Sequence, residues 1–120
     1  MENGSGKVID KSFVFSLDII NLYKKLILNS ETVISKQLLR SATSIGANIN
    51  EAQAASSKKD FLNKMIIASK EARESDYWLK LLSQSKFVEM DYSIYLNEVE
   101  EIIKILTAIV KSTKRSLSIE

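Results

Sequence analysis

Residues 38–52 read LLRSATSIGANINEA and carry the clearest helical pattern in the chain. The apolar positions of this stretch are three or four residues apart, so they share one side of an α-helix. They are Leu38, Ala42, Ile45, Ile49 and Ala52. Small residues lie between them, among them Gly46, and a glycine inside a helix costs about 1 kcal/mol relative to alanine. Gly46 therefore predicts close contact with a neighbouring helix.

The rest of the sequence also favours long helices. Proline is absent, and no stretch alternates apolar and polar residues between turn glycines as strands do. We expect four helices, at about residues 10–28, 32–55 and 58–85, with the last one beginning at Asp91 or Ser93. Short connections of this kind make successive helices antiparallel neighbours.

These helices predict an all-α fold, an up-down-up-down antiparallel four-helix bundle. A chain of 120 residues fits one such domain, which we expect at residues 10–115. Residues 1–9 should form a flexible tail, and residues 116–120 a frayed one. At the start of the third helix, Ser57 is expected to act as the cap and Asp60 as its acidic capping-box partner.

The first helix has apolar residues on two nearly opposite sides. One stripe consists of Phe13, Leu17, Ile20 and Ile27, and the other of Phe15, Ile19, Leu22 and Leu26. A monomeric bundle buries one side of each helix, so a second apolar side implies a second partner surface, most simply another subunit. We therefore predict an oligomer and assign the Phe15 stripe, together with Trp78 of the third helix, to its interface.

The third helix has a heptad-like stripe that alternates by four and three residues, a spacing typical of shallow-angle bundle packing. The stripe consists of Phe61, Met65, Ala68, Ala72, Ser75, Leu79 and Leu82. Its small middle residues match those of the second helix, so the two helices should pack closely. In the fourth helix the residues expected to face the core are Leu96, Val99, Ile103, Leu106 and Val110.

The chain contains neither histidine nor cysteine. Their absence excludes Ser-His and Cys-His catalysis, Cys/His zinc sites and disulfides. No apolar run has the length of a signal peptide or a membrane span. We expect a cytoplasmic, non-enzymatic domain without catalytic residues, a metal, a cofactor, a small-molecule substrate or a membrane partner.

Basic residues outnumber acidic residues by only 17 to 15, which does not by itself imply nucleic-acid binding. In an up-down bundle, however, one end collects the start of the first helix, the turn between the second and third, and the end of the fourth. The basic residues expected there are Lys7, Lys11, Lys58, Lys59, Lys111, Lys114 and Arg115. A ring of subunits would multiply them into a phosphate-binding surface. The alternative is that these residues serve solubility and the helix dipoles.

A second charged group lies between the second and third helices. Folding one helix back on the other brings Arg40 level with residues 73–76, so a structural ion pair with Glu74 or Asp76 is expected. The alternative is a site in which carboxylates bind a hard cation or act as acid and base. Its members would be Glu51, Glu71 and Glu74.

Three further polar or aromatic residues have a structural and a functional interpretation. Asn48, one turn after Ser44, is expected to fix the register between helices rather than to bind a ligand. Tyr77 and Trp78 are expected in the core or at a subunit interface rather than in base stacking.

Two motifs together resemble the 23S rRNA intervening-sequence family of four-helix-bundle proteins. The first is R-S-x-x-S-I-x-A-N-I-x-E at residues 40–51, and the second is K-E-A-x-E-x-x-Y-W-L at residues 70–79. Many members have alanine and glycine where this chain has Asn50 and Ala52. The resemblance implies an up-down bundle that forms a homo-oligomer, a pentameric ring or barrel.

The same resemblance implies a link to nucleic acid. Members of the family were first met as reading frames within insertions in bacterial large-subunit ribosomal RNA genes, and a similar bundle is an accessory protein of retroelement reverse transcriptases. The function we predict is therefore a non-enzymatic homo-oligomer that associates with RNA, DNA or ribonucleoprotein through the basic residues at one end. The alternative is a protein-interaction adaptor or scaffold without a nucleic-acid role.

Overall fold

The computed structural model describes residues 5–119, and the chain is all-α. Its four helices are α1 (Ser5–Leu28), α2 (Ile34–Ala52), α3 (Lys58–Ser85) and α4 (Ser93–Ile119). No strand occurs within the described residues. None of the helices in this range combines the length and apolar character needed to cross a membrane.

Side-chain caps fix where the last three helices begin. The carboxylate of Glu31 accepts three backbone N–H groups at the start of α2, those of Val33, Ile34 and Ser35, at 3.3, 3.0 and 2.5 Å. The Ser57 hydroxyl accepts the backbone N–H of Asp60 at 3.0 Å in α3, and the Asp91 carboxylate accepts that of Ser93 at 2.9 Å before α4. Each acceptor satisfies N–H groups that have no partner inside the helix.

The outer helices are longer than the sequence pattern predicts. α1 begins at Ser5 rather than near Asp10, because Val8 is fully buried and draws the preceding turn into the bundle. α4 continues to Ile119, and its Ser116 hydroxyl accepts a bond from Lys58 of α3. The parts of the predicted tails at residues 1–4 and 120 lie outside the described residues.

The helices pack in a closed order around one core. α1 contacts α2 and α4, and α3 contacts the same two helices. The molecule measures 52 × 22 × 20 Å, so the helices extend along its long axis.

The predicted core stripes of α2 and α3 are confirmed. In α2 the buried members are Leu38, Ala42, Ile45, Ile49 and Ala52, and in α3 they are Phe61, Met65, Ala68, Ala72, Ser75, Leu79 and Leu82. In α4 the buried line is shifted by about one position and consists of Val99, Ile102, Leu106, Ile109 and Thr113. The predicted Leu96, Ile103 and Val110 are only partly buried, because the whole apolar side of α4 is wider than its contact with the core.

The assignment of the two α1 stripes is wrong. Phe15, Ile19, Leu22 and Leu26 are each 0% exposed and are enclosed by their own chain, so they cannot form an oligomer interface. We call them the inner stripe. The other four residues, Phe13, Leu17, Ile20 and Ile27, are 65, 47, 37 and 39% exposed, and we call them the outer stripe.

The residues that flank the inner stripe explain this orientation. On one flank, Ser12 and Ser16 are small enough to lie against α2, where Ser16 donates to the backbone carbonyl of Ala42 at 3.4 Å. On the other flank, Lys11 lies 3.0 Å from Glu101 of α4. The outer stripe, on the opposite side of the helix, is left facing water.

Candidate functional site

An ion-pair cluster joins α2 to α3 at Arg40. Its Nη2 lies 2.6 Å from Oε2 of Glu74 and 3.2 Å from Oε1 of Glu71. The indole Nε1 of Trp78 donates to the same Glu74 oxygen at 2.9 Å. The Arg40 bond first, and the Trp78 bond second, lower the pKa of Glu74. A carboxylate held by two donors in this way is a fixed structural anion.

The other predicted partner of Arg40 lies elsewhere. Asp76 is 2.8 Å from Lys80, one turn along the same helix. Glu51, a member of the alternative carboxylate site, is 2.8 Å from Lys64. Within residues 5–119, no group of acidic side chains has an arrangement that could hold a metal ion. The carboxylates considered for a metal or acid–base site are therefore divided between separate basic partners.

A buried hydroxyl pair that the sequence interpretation missed also joins α2 to α3. The Ser41 and Ser75 hydroxyl oxygens are 2.8 Å apart, and both side chains are buried. Asn48, which was expected to fix register between helices, instead donates to the backbone carbonyl of Ser44 in its own helix at 2.9 Å. The signal that could have identified the serines is their place on the two apolar stripes.

Gly46 faces α1 rather than α3. A Cβ built at Gly46 would lie 3.5 Å from the Ser12 hydroxyl and 3.7 Å from the Ser16 hydroxyl, which are ordinary van der Waals distances. The predicted close contact exists, but it leaves room for a methyl group.

Exposed basic residues lie where α3 begins and where α4 ends. Lys58 Nζ donates to Ser116 Oγ at 2.7 Å and so links the two helix ends. A cavity of about 310 Å³ opens beside this contact, with Phe61 and Ala52 among its lining residues. The exposed basic residues in the first turn of α3 and the last turns of α4 are Lys58, Lys59, Lys111, Lys114 and Arg115, which we call the cationic end.

Two of the seven predicted basic residues do not join this end. Lys11 is paired with Glu101, which lies in the first third of α4. Lys7 is close enough to contribute, after Lys11, to the lowered pKa of the Glu101 carboxyl group. The physical reason is the early start of α1 and the late end of α4, because together they place Lys11 well inside the bundle.

An exposed apolar surface runs along α1 and the adjoining groove of α2. Phe13, with 65% of its surface exposed, lies at the rim of this groove, and Thr43 and Ala47 of α2 also line it. On α3, Tyr77 is 56% exposed and meets Trp78 edge to face, with ring centroids 5.2 Å apart. Trp78 itself is partly buried against the core. Its indole packs inside the chain, whereas 37 to 65% of each outer-stripe side chain stays exposed.

Comparisons with known proteins agree with this architecture. The family model described as 23S rRNA-intervening sequence protein matches residues 5–108. Among solved structures, the chain is similar to a protein of unknown function from the S23 ribosomal protein family of Bacteroides thetaiotaomicron VPI-5482. The two are 49% identical, the match covers 89% of this chain and 97% of that one, and the TM-score is 0.85. No curated protein matches the chain.

Proposed function

The chain belongs to the 23S rRNA-intervening sequence protein family, and from this membership we propose that it is a non-enzymatic bundle that self-associates and binds nucleic acid. The observation that supports the nucleic-acid part is the cationic end, where five exposed basic residues belong to the first turn of α3 and the last turns of α4 and one of them, Lys58, lines a cavity. A compact group of cations at a helix-bundle end is suited to phosphate, which carries no sequence information.

An up-down-up-down topology accounts for the contacts between the helices. Across α2 and α3, Arg40 meets Glu74 near one end, whereas the later residue Glu51 meets the earlier residue Lys64. Across α1 and α2, Ser16 bonds to residue 42, whereas the earlier residue Ser12 lies beside Gly46. In both helix pairs, residues later in one helix contact residues earlier in the other. This order supports an antiparallel arrangement of successive helices.

Self-association is supported by the outer stripe of α1. Four large apolar side chains in one line face water, although a fully covered inner stripe lies on the opposite side of the same helix. Burial of apolar surface contributes about 25 cal/mol per Å², so a second copy that covers the outer stripe gains a favourable term. We propose five subunits, the number that the family resemblance implies, and such a ring brings five cationic ends together.

RNA binding is tested by fluorescence anisotropy of a labelled RNA hairpin at rising salt concentration. We expect affinity to fall with salt, because binding releases counterions from the phosphates. A triple variant, Lys111→Gln with Lys114→Gln and Arg115→Gln, should bind more weakly and show a shallower salt dependence.

The control variant for this experiment removes three exposed cations from the opposite end of the bundle. It combines Lys24→Gln, Lys25→Gln and Lys36→Gln, so its net charge equals that of the first variant. Equal binding by both variants would place the contact elsewhere, and no binding by the wild type at low salt would contradict a nucleic-acid function.

A protein-interaction adaptor is the second candidate function, and the outer stripe is the observation that favours it. In that case the exposed α1 face receives another protein, and the cationic end serves solubility. Purified protein with a raised 260-to-280 nm absorbance ratio that falls after nuclease treatment supports the first function. A ratio typical of protein alone, with no RNA binding at low salt, supports the adaptor.

A further inference from the structure

A carboxylic acid lies in the seam between α1 and α4 without a full set of partners. Glu98 of α4 lines two cavities that follow each other along this seam. Its Oε1 atom is buried and has no hydrogen-bond partner within the described residues. Asp18 of α1 lines one of the same cavities, and its carboxyl group interacts with that of Glu98. Two carboxyl groups can approach in this way favourably only if one of them carries a proton.

The surrounding charges do not offer Glu98 a cation of its own. From α1, the positive charge of Lys11 favours the ionised form of Glu98 and lowers its pKa. The Lys11 ammonium group, however, lies 3.0 Å from the carboxylate of Glu101. Lys25 lines the cavity on the Asp18 side and Asp10 the cavity on the other side. Lys11, the cation that lowers the pKa of Glu98, is therefore already paired with another acid.

The other helix packed against α4 faces away from this seam. Asp76 and Lys80 of α3 line a groove on the other side of α4, beside Glu100. On α4 itself, Tyr95 lies next to Glu98, and burial, followed by the charges of Asp18 and Glu98, raises the pKa of its hydroxyl. A phenol that stays protonated adds no positive charge to the seam.

This environment moves the titration of Glu98 into the neutral range. Burial is the main cause, the contact with Asp18 is the second, and together they raise the pKa of Glu98 from 4.5 to about 7. Glu74 provides a contrast within the same molecule, because its bonds from Arg40 and Trp78 lower its pKa.

We propose that Asp18 and Glu98 form a proton-sharing latch that holds α1 against α4 and loosens when the shared proton is lost. In the closed state, the protonated Glu98 donates an O–H bond to the Asp18 carboxylate. Loss of the proton to solvent removes this bond and leaves two adjacent carboxylates, which repel each other. The α1–α4 seam is therefore sensitive to pH near neutrality, whereas the α2–α3 seam, joined through Arg40 and the Ser41–Ser75 pair, is sensitive only in acid, where Glu74 takes up a proton.

The pH dependence of folding stability tests the latch. Because the pKa of Glu98 is higher in the folded chain than its ordinary value of 4.5, the folded chain binds more protons between pH 4.5 and about 7. Stability should therefore fall as pH rises through this window. Thermal melts at pH 5, 6, 7 and 8 should show a declining midpoint for the wild type and a flatter profile for Glu98→Gln.

A matched control is Glu100→Gln, which removes an exposed carboxylate from the same helix. Its melting midpoint should decline with pH as the wild type does. A wild-type profile parallel to that of Glu98→Gln would overturn the latch. If Glu98→Gln fails to fold, the Glu98 carboxyl carbon of the wild type is titrated by NMR. A midpoint near 7 supports the proposal, and a midpoint near 4.5 overturns it.

Amide hydrogen exchange separates a local latch from a global loss of stability. After correction for the chemical exchange rate, amides of α1 and α4 should lose protection between pH 6 and 8, while those of α2 and α3 keep theirs. Equal loss of protection in all four helices, or none, would contradict a latch at this seam.

Discussion

The two sides of α1 have almost the same apolar composition but opposite environments. Phe15, Ile19, Leu22 and Leu26 are fully buried, whereas the outer stripe keeps 37 to 65% of each side chain exposed. What separates them is their flanks, because Ser12 and Ser16 fit against α2 and Lys11 pairs with α4. An apolar stripe indicates that one face of a helix is to be buried. The residues that flank the stripe determine what that face packs against.

The largest difference between the two sides is expected from leucine-to-alanine changes. Leu22→Ala leaves a cavity in the core and should lower the free energy of unfolding by about 2–5 kcal/mol. Leu17→Ala removes a side chain that is 47% exposed and should change it by about 0.5 kcal/mol or less. Urea denaturation of both variants, at a concentration where copies do not associate, provides the measurement. Similar losses in the two variants would mean that the inner and outer stripes are not distinct.

A substitution in α2, at the point where it packs against α1, should raise the free energy of unfolding. Gly46→Ala places a methyl group at ordinary contact distance from Ser12 and Ser16 and removes the helical penalty of glycine. We expect a gain in unfolding free energy of about 1 kcal/mol, measured by the same denaturation. A loss instead of a gain would show that α1 and α2 pack more tightly here than these distances indicate.

A smaller effect is expected at the α2–α3 seam, which does not involve α1. Arg40→Gln removes a half-exposed ion pair and should cost about 0.5 kcal/mol at neutral pH. The lowered pKa of Glu74 means that this contribution is present above pH 4.5 and disappears as pH falls further. The difference between wild type and variant should therefore vanish in acid, which paired melts at pH 7 and pH 3 would measure. A difference that persists at pH 3 would show that Arg40 acts through packing rather than charge.

The sequence correctly predicted the buried face of α2 and of α3, because each of these helices has a single apolar stripe. In α2 and α3, Leu38, Ile49 and Leu79 lie on unique apolar faces, and all are buried as predicted. α1 has two apolar faces, and the spacing of its apolar residues does not show which of them packs against the core. Choosing correctly required knowledge of which small and charged residues meet α2 and α4, and these contacts exist only once the helices are packed.

The predicted functional residues also fall into two groups, those whose contacts could be deduced from the sequence and those whose contacts could not. Arg40 and Glu74 lie on adjoining helices joined by a short turn, so their proximity could be deduced from the sequence. Lys11 was misplaced because α1 extends back through Gly6 to Ser5, and because no proline or glycine marks where α4 ends. Nothing in the sequence around Glu98 signals its position, because burial and contact with Asp18 arise from the packing of α4 on α1.

Sedimentation velocity over a concentration series tests self-association through the outer stripe most directly. We predict a discrete multimer for the wild type, and a monomer for Phe13→Ser combined with Leu17→Ser. The matched control is Phe87→Ser with Ile94→Ser, since these side chains, 66 and 65% exposed, lie off the stripe; it should remain a multimer. A wild-type chain that stays monomeric at the highest concentration, or a multimer that survives the loss of Phe13 and Leu17, would contradict the account.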